Sequence, residues 1–222
     1  MIENGKIAAC FDFDKTLIEV SSSDLGFKWL RENGMLPINF ALKIGIAGLM
    51  YKNNILSEQN MVKPLLSFYR GRYLKDFQES AISFWEEILK PHLAPNVIER
   101  LEFHKRNNHI LILISGSLHY LLVPVVKDLG FHHLICTHLE VKDNGMLTGR
   151  PNGLVCVAEN KPLLLKELAL KFNLDLARSF AYSDHHSDIP LLESVGYPFA
   201  VEPTPRLKNI AGERDWPIIT FR

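Results

Sequence analysis

The stretch Ile7-Ala8-Ala9-Cys10-Phe11-Asp12-Phe13-Asp14-Lys15-Thr16-Leu17 decides the fold. Five apolar residues run unbroken into two carboxylates spaced two apart. A strand with one wet face alternates apolar and polar residues. A strand without alternation is buried on both faces, as the central strands of a parallel sheet are. Ile7 to Phe13 is therefore read as such a strand. The acids at its carboxyl end then stand on the sheet edge where open α/β folds bind their ligands.

The pattern recurs. His109 to Ser115 carries Ile-Leu-Ile-Leu-Ile and closes on Ser115-Gly116-Ser117. Leu134 to Thr137 and Ser179 to Ser183 are further strands, the latter closing on Asp184, and Tyr197 to Val201 is the fifth. Helices are predicted between them: one from about His119 to Leu129, stopped by Gly130, one opened by Asn160-Lys161-Pro162 with Asn160 as its N-cap, and one from Ser187-Asp188-Ile189-Pro190 to Gly196. Asp143-Asn144-Gly145 marks a small hairpin. Alternating strands and helices predict an α/β fold, a doubly wound and mostly parallel sheet.

From about Ser22 to Phe103 the period changes to that of helices. Leu74, Phe77, Ala81, Phe84, Trp85 and Ile88 share one face, with Lys75, Asp76, Glu79, Glu86 and Glu87 opposite. Turn signals at Asn33-Gly34, Asn53-Asn54 and Arg70-Gly71 divide the block into about four helices with no strand among them. The chain thus reads as a core of residues 1–20 and 104–222 with a helical insertion of residues 21–103. The stripe Leu42, Ile46, Leu49 and Met50, at helical spacing, is expected to form the insertion's own core.

Composition narrows the partners. Lys plus Arg and Asp plus Glu each total 25, so no net charge marks the 222 residues for nucleic acid or for anionic membranes. Hydrophobic residues at 47% exclude a disordered chain. Cys10, Cys136 and Cys156 have no metal-knuckle or disulfide spacing. Met1 to Lys6 lacks the features of a signal peptide. The most membrane-like segment, Leu36 to Tyr51, is short and broken by Pro37, Lys43, Gly45 and Gly48. A cytoplasmic protein without a transmembrane segment is the expectation.

The chemistry lies at the strand ends. Asp12, Asp14, Asp184 and Asp188 converge there with Ser115 and a single lysine, Lys161. Crowded carboxylates do not all ionise unless a cation joins them. A hard divalent ion such as Mg²⁺ answers that need and leaves coordination positions for a substrate phosphate. One of the paired acids, Asp12 or Asp14, can then attack phosphorus while the other moves the proton. His185-His186 invites a metal reading, but adjacent rings do not readily share one ion, so both are assigned to the surface or the pocket rim.

These residues resemble a known set. Asp12-Phe13-Asp14-Lys15-Thr16-Leu17 is similar to the DxDxT signature of the haloacid dehalogenase superfamily. Ile110 to Ser115 resembles its second motif, Lys161 its third, and Asp184 with Asp188 its fourth. Thr137 to Val141 with Thr148-Gly149, and Ser187 to Leu192, resemble the phosphoserine-phosphatase-like branch, subfamily IB. The resemblance implies a Rossmann-like core with an all-helical C1-type cap. It implies a Mg²⁺-dependent phosphatase of a small phosphomonoester, with Asp12 as nucleophile and Asp14 as general acid/base. Ser115, Gly116 and Lys161 would hold the phosphate. Asp12, Asp184 and the main-chain carbonyl of Asp14 would hold the metal, with Asp188 and Thr16 in support. In phosphoserine phosphatase the amino-group-binding Glu would fall near Ser21, with Glu19 close by, and the carboxylate-binding Arg would fall near Arg70 and Arg72. Those three are the candidate substrate contacts. A small phosphorylated metabolite is the expected partner. A membrane-peripheral phosphatase of a lipid-derived phosphate, to which the apolar residues around Phe40 to Met50 would be suited, a phosphoserine phosphatase and a non-enzymatic phosphate-binding scaffold are the alternatives.

Overall fold

The computed structural model describes residues 5–32, 34, 36–53, 55 and 58–222. Among them a six-stranded parallel sheet runs in the order β3-β2-β1-β6-β7-β8. Its strands are β1 (Ala8–Phe11), β2 (Ile110–Leu118), β3 (His133–Thr137), β6 (Phe180–Ser183), β7 (Tyr197–Val201) and β8 (Ile218–Ile219). A separate antiparallel pair is formed by β4 (Leu139–Val141) and β5 (Leu147–Pro151).

Each central strand divides its residues between two cores. Ala9 and Phe11 of β1 and Leu111 and Leu113 of β2 face one side, with Val97, Leu101, Leu122 and Val125. Ala8, Cys10, Ile112 and Ile114 face the other, with Leu165, Leu191 and Leu207. The helices α5 (Pro95–Arg106) and α6 (His119–Leu129) carry the first set. The second is carried by α7 (Asn160–Phe172), α8 (Ile189–Glu193) and α9 (Pro205–Glu213). All four residues of β1 are fully buried, and so they are apolar without alternation.

The insertion holds α1 (Ser22–Glu32), α2 (Ile38–Lys52), α3 (Glu58–Leu66) and α4 (Leu74–Ser83), continued by a π-helical turn at Phe84–Leu89. The expected division after residue 103 falls inside α5, whose Val97 and Leu101 belong to the sheet's core. The β4–β5 hairpin reaches the insertion. The Gly71 N–H donates to the Leu147 carbonyl at 2.9 Å, the Leu147 N–H to the Arg72 carbonyl at 2.8 Å and the Leu74 N–H to the Gly145 carbonyl at 3.2 Å.

Three local readings are corrected. Leu42, Ile46, Leu49 and Met50 are exposed, by 66, 52, 63 and 37%. Helix α2 is apolar nearly all round, so its period did not define which face turns inward; Ala47 is buried instead. Asn160 is the first residue of α7 rather than its N-cap, and its side-chain amide donates to the Val155 carbonyl at 2.9 Å. Strand β8 was not expected, because two residues carry no readable period.

Beneath the sheet, His104 is fully buried between His109 and Tyr182, with ring nitrogens 2.8 Å from His109 Nδ1 and 2.8 Å from the Tyr182 hydroxyl. Burial, with His109 and Arg100 nearby, lowers its pKa to about 4. The unfolded chain therefore takes up a proton here more readily than the folded one. This contribution is present above the ordinary histidine value and is lost as pH falls towards about 4, a loss of roughly 3 kcal/mol. The stability gap between wild type and His104→Leu, measured by urea melts, is expected to narrow over that window.

Candidate active site

The chain order reverses about β1, whose neighbours are β2 and β6. The crevice at the carboxyl ends of these strands is the switch point of the sheet. After β1 the backbone coils at once. The N–H groups of Leu17 and Ile18 both donate to the Phe13 carbonyl, at 3.0 and 3.1 Å, and Lys15 sits in the left-handed region at φ 54°. The turn buries Phe13 and Leu17 in the core and leaves Asp12, Asp14 and Lys15 lining the crevice.

Lys161, in the first turn of α7, is buried there. Its ammonium donates to Asp12 Oδ1 at 2.8 Å and to Asp188 Oδ2 at 2.6 Å. Burial alone would lower its pKa; Asp12 and Asp188 outweigh that and hold it well above the ordinary lysine value. The Ser183 hydroxyl also donates to Asp188 Oδ2, at 2.6 Å. The Thr16 hydroxyl approaches Asp12 Oδ2 at 3.4 Å. Burial raises the Asp12 pKa to about 7 despite Lys161.

Asp14 has different company. Ser22, the first residue of α1, donates its N–H to Asp14 Oδ1, and the Ser117 hydroxyl donates to Oδ2 at 2.8 Å. Burial raises this carboxyl's pKa, and the two serines oppose the rise. Neither serine was singled out from the sequence. The run Ser21-Ser22-Ser23 at a helix start and the second serine of Ser115-Gly116-Ser117 were the available signals.

The Ser115 hydroxyl accepts the Ser117 N–H at 3.1 Å. The register of β2 against β3 shifts between Ser115 and Leu118, so this segment departs from regular pairing at the crevice. Gly116 is required there: a Cβ would stand 2.9 Å from Val157 Cγ1.

Asp184 is buried, yet among the described residues its carboxylate has no hydrogen-bond or ion-pair partner. Burial first, then the negative charges of Asp12 and Asp188, raises its pKa to about 8. A buried carboxylate without a partner beside a second carboxylate is the donor set a hard cation fits. The described residues hold no group of three Asp, Glu, His or Cys side chains placed as a ready metal cage.

Asp12, Asp14, Ser22, Ser115, Gly116, Ser117, Lys161, Asp184 and Asp188 line one cavity of about 490 Å³. Its other walls come mainly from the insertion and α6, and His185 is among its lining residues. Three expected substrate contacts are not brought to it. Glu19 pairs with Arg222 at 3.2 Å, Arg72 lies 3.8 Å over the Phe68 ring, and Arg70 is exposed beside Gly149.

Replacing Lys161 by Met leaves Asp12 and Asp188 buried without a cation. The expected cost is about 3–5 kcal/mol near pH 8. It should shrink towards about pH 5, where the raised Asp12 can take a proton. Urea melts at the two pH values measure it.

The profile of the haloacid dehalogenase-like hydrolases matches residues 9–193. A histidinol-phosphatase of Neisseria meningitidis is 26% identical over 98% of this chain and 100% of its own. A Bordetella pertussis protein of unknown function superposes with a TM-score of 0.88 at 24% identity, over 98% of this chain and 100% of that one. A phosphoserine phosphatase solved as a phospho-aspartyl intermediate analogue superposes at 0.70 with 20% identity, over 98% and 94%. No described helix is long and apolar enough to cross a membrane. With its sheet order, its switch-point acids and a profile spanning most of its length, the chain belongs to the haloacid dehalogenase-like hydrolase family.

Proposed function

We propose that this phosphatase of the haloacid dehalogenase type hydrolyses a phosphomonoester through an aspartyl phosphate on Asp12. The observation that carries the reading is the pair Asp12 and Asp14, two residues apart in one cavity but held by different partners. Asp12, beside the Lys161 cation, is the nucleophile. Its carboxylate oxygen forms a bond to phosphorus as the bond from phosphorus to the alcohol oxygen breaks. Asp14 gives its proton to the departing alcohol. It then takes a proton from the water that attacks the aspartyl phosphate, and inorganic phosphate leaves with Asp12 restored.

Ser115, the Gly116 N–H and Lys161 hold the phosphoryl oxygens. Asp188 and Ser183 brace Lys161, and Thr16 steadies Asp12. Asp12, Asp184 and the main-chain carbonyl of Asp14 would hold Mg²⁺. When bound, the ion supplies positive charge that lets one anion approach another. Residues 21–103 act as the cap, sharing α5 with the core, and shield the reaction from bulk water. The phospho-aspartyl analogue captured in a phosphoserine phosphatase of this fold agrees with the same chemistry.

A second reading, a membrane-peripheral form of the same enzyme, is favoured by the exposed Leu42, Ile46 and Leu49 on α2 and by the absence of any acid between Glu32 and Glu58. Sedimentation with anionic vesicles, lost in Leu42→Asp, would support it.

Asp12→Asn is expected to lower phosphate release from an aryl phosphate by roughly 10³-fold or more with the fold intact. Wild-type turnover in a clean preparation would reject the nucleophile. A second outcome concerns the metal. The raised Asp12 and Asp184 favour protonated folded protein, so without a cation stability falls as pH rises towards about 8. Mg²⁺ should therefore raise the melting temperature more at about pH 8 than at about pH 6, and Asp184→Asn should abolish the difference.

A further inference from the structure

The cavity is charged at one end only. Its acids and lysines are Asp12, Asp14, Lys15, Lys161, Asp184 and Asp188, all on the core side. Among the described residues, the insertion contributes apolar and hydroxyl side chains to the walls and no ionised one. Phe27, Leu66, Phe68 and Phe77 come from the insertion, and Leu118 and Leu121 from the core. The Tyr69 and Tyr120 hydroxyls meet at 2.8 Å across the boundary between insertion and core. One phenol donates to the other, and burial keeps both neutral by raising their pKa values.

We infer that the alcohol released by this enzyme is uncharged and mainly apolar, seated against the aromatic wall formed by the insertion and α6. The inference rests on the reading of the same cavity as the phosphatase site. The phosphate end finds its charge on the core side. The other end of the substrate must leave water for a wall that, among the described residues, carries no ionised side chain. An ammonium or carboxylate placed there would lose its hydration and, among the described lining residues, meet hydroxyls but no ionised partner, whereas methylene or aryl groups gain by burial. The amino-alcohol of histidinol phosphate and the zwitterion of phosphoserine are therefore poor fits, although relatives of this fold carry those names.

The experiment compares kcat/KM, with Mg²⁺, for straight-chain alkyl phosphates of increasing length against phosphoserine and histidinol phosphate. The expected result is a rise of about threefold per methylene until the wall is covered, with both amino compounds below the longer alkyl esters. Leu65, a wall residue, gives the paired variant. Leu65→Asp should flatten the alkyl series and improve histidinol phosphate relative to it. A series without slope, or a preference for either amino compound in the wild type, overturns the inference. Oxygen exchange between inorganic phosphate and water, which needs no alcohol, separates the two levels. Exchange with a flat alkyl series sinks only the substrate class, and no exchange sinks the phosphatase reading together with it.

Discussion

The Lys161 ammonium, held between Asp12 at 2.8 Å and Asp188 at 2.6 Å, is the interaction on which the site depends. Three charges with almost no exposure are stable only in one another's company. They come from three separate elements: the loop after β1, the start of α7 and the turn after β6. The pairing therefore fixes the crevice as well as the charge. It also leaves the cluster short of positive charge, since Asp184 is buried beside it and, among the described residues, its carboxylate has no hydrogen-bond or ion-pair partner. On the proposed reading, that deficit is what a cation and a phosphoryl group would answer.

The second constraint is the tie between chemistry and insertion. Asp14 accepts the N–H of Ser22, an otherwise unpaired donor at the N-terminus of α1. The Ser22 and Ser117 hydroxyls lie 3.2 Å apart, one from the insertion and one from the core. At the far side, the β4–β5 hairpin bonds to residues 71–74. The insertion is thus held at both ends over the crevice. Core residues supply the charged floor, and the insertion supplies much of the apolar wall.

Much of this was legible in the chain. Strands buried on both faces announce themselves by unbroken apolar runs, and acids at their ends mark the switch point. Helix α2 was legible as a helix but not as a surface. With Ile38, Leu42, Ile46 and Leu49 exposed and Ala47 buried, apolar residues lie on both sides of it, and period alone gives no inward direction. Glu19, Arg70 and Arg72 failed for another reason. Long charged side chains go to whichever partner or solvent is near in space, here Arg222, the Phe68 ring and water.

The sequence by itself determined the parallel sheet and the acids, serine and lysine of the crevice, because each is written in local period or in motifs beside strand ends. Only the tertiary structure decided that Asp14 answers to Ser22 and Ser117 while Asp12 answers to Lys161, and that the Asp184 carboxylate has no partner among the described residues. It alone decided that the described residues of the insertion give the cavity apolar and hydroxyl side chains rather than charged ones. Those facts depend on which side chains meet across Lys161 and Asp12, 149 positions apart, or Ser117 and Asp14, 103 apart. Such meetings are set by the packing of elements against each other, which no local pattern encodes.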